Sequence, residues 1–346
     1  LGLSTTSLSV LGRRGVVLPP VAVALRPISN NTVMPTNIIT TGQVEQSTIH
    51  TVRAASGISS LSVAMPGYFV DNSQTSPYRN IEQRPLSSAY TVQAVSVEYP
   101  VNSGNWYPIK KDGATNWQVQ PWDRVGTGNT WSDETPLGIT IPDGADYRLF
   151  TYATGPQIPA FNPSNARALY TDEGCNRNAS ASVVPKNVTD SDSNRRWRSC
   201  VTVGHFCRVA GEAVAIIGDS QQQFASGGYA LNDGSFPDHN RGDIASTIGS
   251  TYAYLNLAIG ADQWETRLHD FRSFKELADT CSIVIDQLGI NSFVNKGQDA
   301  ATTLAIKRRA LPFFTGKKVI AATVSPRTTG AWTAADGSDQ TLASYS

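Results

Sequence analysis

Ser220 closes the run Ala213-Val214-Ala215-Ile216-Ile217-Gly218-Asp219-Ser220. Five small or β-prone residues ending on glycine read as a buried strand with a sharp turn at its end. That places the Ser220 hydroxyl at the carboxyl edge of a sheet, where open α/β sheets hold their ligands. Alone, Gly-Asp-Ser is an ordinary turn tripeptide. It gains weight from three further apolar runs downstream. Residues 252–259 form a second apolar run that ends on Gly260, and residues 282–288 form a third, followed by Gly289-Ile290-Asn291. A fourth, residues 319–324, is followed by Ser325-Pro326-Arg327.

Helical stripes separate these runs. Leu268, Phe271, Phe274, Lys275 and Leu277 share a face of a predicted helix over 265–280. Ala301, Leu304, Ala305 and Leu311 mark the expected apolar side of a second, over 299–313. Strands alternating with helices predict a parallel sheet built from right-handed crossovers. Ser220, Gly260 and Asn291 are then expected to converge at one edge.

With these residues in place, the chain resembles the SGNH hydrolases, the GDSL esterase/lipase family, over residues 211–346. Gly218-Asp219-Ser220 matches the nucleophile block, Asn256-Leu257-Ala258-Ile259-Gly260 the glycine block and Gly289-Ile290-Asn291 the asparagine block. Two positions depart from the pattern: Ser292 stands where an aspartate often follows the asparagine, and Gln221 where an aliphatic residue follows the serine. The resemblance implies Ser220 as nucleophile. It implies the Ser220 N–H, the Gly260 N–H and the Asn291 side-chain amide as donors to the oxyanion. It also implies a histidine with a supporting carboxylate, because a serine hydroxyl attacks only when a base takes its proton. The family carries that pair as Asp-x-x-His, and this sequence contains no such tetrad. Of its four histidines, His50 and His205 precede the matching region, His239 lies in a polar loop and His269 in a predicted helix. The chain is therefore expected to continue past Ser346 with the missing block; the other reading is a scaffold without its base. No Cys-x-x-Cys pair or histidine-rich cluster suggests zinc, and the acyl-transfer mechanism that the resemblance implies calls for no metal or organic cofactor.

The rest of the chain has a different texture. Residues 1–40 read as an extended arm that docks on a partner subunit or a viral particle. Residues 41–210 carry short β signals, at 48–53, 90–99, 137–141, 147–152, 182–188 and 201–209, separated by Gly/Pro/Asn turns. They predict a jelly-roll-like β-sandwich. The expected fold is thus an SGNH-type three-layer α/β sheet at residues 211–346, preceded by that sandwich. A formal net charge of zero, with 16% charged residues, supplies no basic field for nucleic acid. The apolar stretch 16–25 is short and broken by Pro19-Pro20, so no membrane span is expected.

Cys175 and Cys200 flank a turn-rich insertion and are candidates for a disulfide, whereas Cys281 reads as a buried free thiol. Trp106, Tyr107, Trp117, Trp122 and Trp131 cluster in Gly/Asn/Asp-rich segments, either as sugar-stacking faces or, preferentially, as core. Some esterases resembling the family carry an amino-terminal jelly roll. Together these features predict a serine esterase that removes acetyl or another small acyl group from a glycan. Its setting is extracellular or on a virion surface, and it is expected to be a homo-oligomer. The alternative is a virion or surface-assembly protein that uses an inactive SGNH-like fold for structure or receptor binding.

Overall fold

Ala213–Ile217 has no polar side chain and is buried along its whole length, which suits a strand covered on both faces. A computed structural model describes residues 23–29, 34–39, 45–54, 56–71, 81–126, 128–161, 174–177, 198–199, 202–223, 243–248, 251–268, 272–292, 297–322, 328–330 and 340–342. In it Ala213–Ile217 is an inner strand, β1, of a four-stranded parallel sheet. β2 (Ala253–Asn256) lies on one side, β3 (Ile283–Asp286) on the other, and β4 (Lys318–Ala321) outside β3. Among the described residues, helices α1 (Ser220–Gln223), α2 (Asp243–Ile248), α3 (Trp264–Arg267), α4 (Arg272–Asp279) and α5 (Ala300–Ala310) accompany it.

The two-residue period of a strand sorts β1 between two cores. Val214 and Ile216 join Tyr254, Ile283 and Ala245 of α2 on one face. Ala213, Ala215 and Ile217 join Leu255, Trp264 of α3, Phe274 and Leu277 of α4, and Phe314 on the other. The sheet therefore has helices against both faces.

The helices differ in detail from the sequence expectation. The stretch 265–280 is two helices, α3 and α4, instead of one. α5 turns a different side inward from the one its apolar residues mark. Ala301, Leu304 and Ala305 are exposed, and Thr303, Ile306 and Ala310 face the core. An ion pair explains the rotation: Lys307 Nζ lies 3.2 Å from Asp286 Oδ2 at the end of β3, on the docked side.

Before residue 210 the chain is β-rich. One antiparallel sheet orders Ala24–Pro27, Gly204–Val209, Ile58–Pro66 and Asn129–Trp131, with Thr135–Ile141 also paired to Ile58–Pro66. The other orders Gly174–Arg177, Glu45–Arg53, Asp146–Thr154, Tyr90–Glu98 and Trp106–Pro108, with Trp117–Val119 also on Tyr90–Glu98. Ile58, Leu61, Val63 and Met65 of the first share a core with Tyr90, Val92, Val97, Tyr147 and Leu149 of the second. Ala24–Pro27 and Asn37–Ile39, inside the stretch read as an arm, are paired strands, the latter with Ile158–Phe161. Residues 1–22 and the strand expected at 182–188 lie outside the described residues.

The two parts share packing. Ala64, Tyr68, Val70, Trp122 and Phe206 belong to the same core cluster as Ala215, Leu255 and Phe274. Among the described residues no helix is long and apolar enough to cross a membrane.

Candidate functional site

The three strands that lead to the predicted site residues surface in the same way. Residues 213–219 are all buried, and Ser220 is the first to reach solvent. Residues 253–259 are all buried, and Gly260 is the first to emerge. Residues 286–289 are buried, and Ile290 and Asn291 emerge together. Because β2, β1 and β3 are hydrogen-bonded neighbours running in one direction, these three exits lie along one edge.

Backbone hydrogen bonds carry the alignment past the strands. Leu257 N–H donates to Ile216 O at 2.9 Å and Ile259 N–H to Gly218 O at 3.0 Å, so Ser220 and Gly260 follow the same rung of the ladder. On the other side Gln287 N–H donates to Ile217 O at 2.8 Å. Asp219 O accepts from the N–H groups of Gln222 and Gln223, which turns the chain into α1 with Ser220 as its first residue.

Side chains then tie these loops together. Asn256 donates from Nδ2 to Gln222 O at 2.7 Å and accepts the Ala258 N–H at Oδ1, joining β2 to α1. Gln222 Oε1 accepts the Ile244 N–H at 3.0 Å, which anchors the start of α2. Gln223 Oε1 accepts the Gly260 N–H at 2.6 Å. Asn291 Nδ2 donates to Asp262 O at 3.0 Å, and Ser292 Oγ donates to Glu265 Oε2 at 3.1 Å. Ser292 thus ties the segment after β3 to α3.

That loop has its own foundation. Ala261, directly after Gly260, has a φ of 66°, a left-handed conformation that favours glycine. Asp262 and Arg267 form an ion pair beneath it, both fully buried. Arg267 Nη2 also donates to Leu257 O at 2.6 Å, and its guanidinium lies 4.0 Å from the Phe274 ring centroid. Burial pushes the Asp262 carboxyl up to about 6; the nearby Asp219 acts in the same direction and Arg267 opposes them. Burial likewise raises Asp286, which accepts from Trp264 Nε1 at 2.9 Å and faces Lys307.

The sequence reading missed this layer. Asp262 and Arg267 look like the polar start of a surface helix, and nothing in their spacing marks them as buried. Gln222 and Gln223 look like surface amides, yet both are buried.

Other candidates are placed as follows. His205 is buried in the sandwich, with Nδ1 2.9 Å from the Tyr147 hydroxyl and Nε2 3.2 Å from Thr202 Oγ1. Burial raises the Tyr147 hydroxyl well above its ordinary range. His239, His269 and residues 325–327 lie outside the described residues, as do Cys200 and the side chains of His50 and Cys175. Cys281 is a buried free thiol, and so is Cys207.

The aromatic cluster serves packing first. Trp117 and Trp122 are buried. Trp106 meets Phe150 edge to face with the Arg148 guanidinium over its ring, and Trp131 Nε1 donates to Glu276 Oε1 at 2.6 Å. Among the described residues no group of three or more His, Cys, Asp and Glu side chains is placed to hold a metal ion.

No family model and no curated protein matches the chain. Among solved structures it is similar to a family two carbohydrate esterase from Clostridium thermocellum in complex with cellohexaose. That match has 9% identity and a TM-score of 0.27, over 89% of this chain and 79% of that one. An active-site mutant from the same organism matches at 8% identity and a TM-score of 0.29, over the same shares. A family two carbohydrate esterase from Cellvibrio japonicus matches at 9% and 0.24, over 90% and 79%.

Proposed function

We propose that the chain is a serine esterase of SGNH type that transfers an acetyl or other small acyl group from a glycan to Ser220 and then to water. One observation carries the reading. Ser220, Gly260 and Asn291 each stand where one of three adjacent parallel strands leaves the core. In the proposed reaction the Ser220 Oγ attacks the ester carbonyl while its proton passes to a base. The Ser220 N–H, the Gly260 N–H and the Asn291 amide hold the oxyanion. Collapse expels the sugar alcohol, and water attacks the acyl-enzyme to regenerate Ser220. His205 is unsuited to the role of base, because both its ring nitrogens are engaged inside the sandwich. The glycan half of the reading draws on the Ser-, Thr- and Asn-rich composition and on the sandwich packed against the sheet.

The competing reading, a virion or surface-assembly protein with a hydrolase-shaped binding head, draws on the Gln223 oxygen that occupies the Gly260 N–H. Labelling with a fluorophosphonate probe, mapped by peptide mass spectrometry with Ser220→Ala as control, separates the two. We expect an adduct on Ser220. A folded protein that takes none is a binding or structural protein.

A further inference from the structure

The donor expected to meet the substrate already has an acceptor inside the protein. We propose that Gln223 is a latch on the Gly260 N–H: its side-chain oxygen holds the place of a ligand carbonyl or carboxylate oxygen, which binds only when Gln223 swings away. The inference deepens the esterase reading and rests on it.

Four observations support the latch. The Gln223 Oε1 to Gly260 N distance is 2.6 Å, a short contact for two neutral amides. Gln223 is almost fully buried, at 4% exposure, whereas Gly260 is half-buried. The backbone of Gln223 is held in α1 by its N–H bond to Asp219 O at 2.9 Å, so the side chain, and not the chain trace, is the part that would move. The adjacent Gln222 does the structural work of the pair, because its Oε1 and its carbonyl tie α1 to α2 and β2.

The latch has a chemical consequence. A neutral ester oxygen is a weaker acceptor than an amide oxygen and competes poorly for Gly260. An oxyanion is a stronger one and displaces the amide. Every ligand that uses the Gly260 N–H must first break the Gln223 bond, so the latch weakens binding by the strength of that bond. One neutral hydrogen bond of ordinary net strength corresponds to roughly a three- to tenfold change in ligand affinity.

The test follows acetate, the simplest carboxylate, by the Gly260 amide resonance in 15N-glycine-labelled protein. Wild type is compared with Gln223→Ala and with Gln223→Met, which keeps the length of the side chain without its oxygen. The latch predicts acetate binding three- to tenfold tighter in both variants. If the alanine variant fails to fold, the methionine variant decides alone. Unchanged or weaker binding in Gln223→Met would overturn the latch and make Gln223 a support for the Gly260 loop. Absence of acetate binding in all three proteins would overturn it too. Fluorophosphonate labelling of the same samples judges the chemistry separately. Tighter acetate binding without a Ser220 adduct leaves the latch and removes the esterase, and a Ser220 adduct with unchanged acetate affinity does the reverse.

Discussion

Gly218 has no room for a side chain. A Cβ built there would lie 2.6 Å from Gln222 Cγ and 3.1 Å from Gln287 Oε1. Gln222 cannot easily retreat, because its amide oxygen holds α2 and its carbonyl holds Asn256. Gly218→Ala is expected to cost about 1–3 kcal/mol of folding stability, read from a urea midpoint, through overpacking behind the serine. An unshifted midpoint would mean that Gln222 moves freely. Asn291→Ala tests the other side of the site. It removes the Asp262 carbonyl's partner, worth about 1 kcal/mol of stability. As an oxyanion donor its loss should also lower kcat roughly 100- to 1,000-fold with little change in KM. A kcat within threefold of wild type would strike Asn291 from the donors. That Ser220, Gly260 and Asn291 share one sheet edge was legible in the sequence, because each follows an apolar run. Gln223 was not, because nothing local tells a glutamine that faces water from one that covers an amide three residues past the serine.

At the scale of elements, the segment from β2 through α3 holds Gly260 over a buried ion pair. The Asp262 carboxyl, raised by burial to about 6, favours the protonated folded state relative to an unfolded chain titrating near 3.8. Its contribution to stability is therefore full below about pH 4 and is lost as pH rises through about 6. Asp123, Asp133 and Asp299 are held low by backbone N–H donors, so their contributions run the other way. The carboxyl must accordingly be followed directly, by its 13C resonance. A midpoint near 6 is expected, and one below 3.8 would show that Arg267 outweighs burial. The parallel strands could be read in advance because a doubly covered strand is apolar throughout, as β1 is. The orientation of α5 could not, since it is set by Lys307 reaching Asp286 from an element with few buried apolar residues.

At the scale of the molecule, the change of texture near residue 210 is visible in the sequence, but the seam between the two parts is not. It is built from single residues far apart in the chain. Glu276 on α4 accepts from Asn129 Nδ2 at 2.7 Å and from Trp131 Nε1 at 2.6 Å. Arg26 donates to Thr280 O at 3.1 Å, and Arg272 donates to the carbonyls of Arg124 and Val125. Beneath them one apolar cluster runs from Tyr68 and Phe206 to Leu255 and Leu277. A continuous core makes the parts unfold together, because exposing one face leaves the other uncovered. Glu276→Ala deletes two bonds to a charged acceptor and leaves the Trp131 N–H unmatched, for an expected loss of about 2–4 kcal/mol. The transition should nevertheless stay single, with tryptophan fluorescence and far-UV circular dichroism giving coincident curves before and after the substitution. Two separated transitions in wild type would make the sandwich and the parallel sheet independent domains. Separation appearing only in Glu276→Ala would make the Glu276 bonds, and not the shared core, the source of their cooperativity.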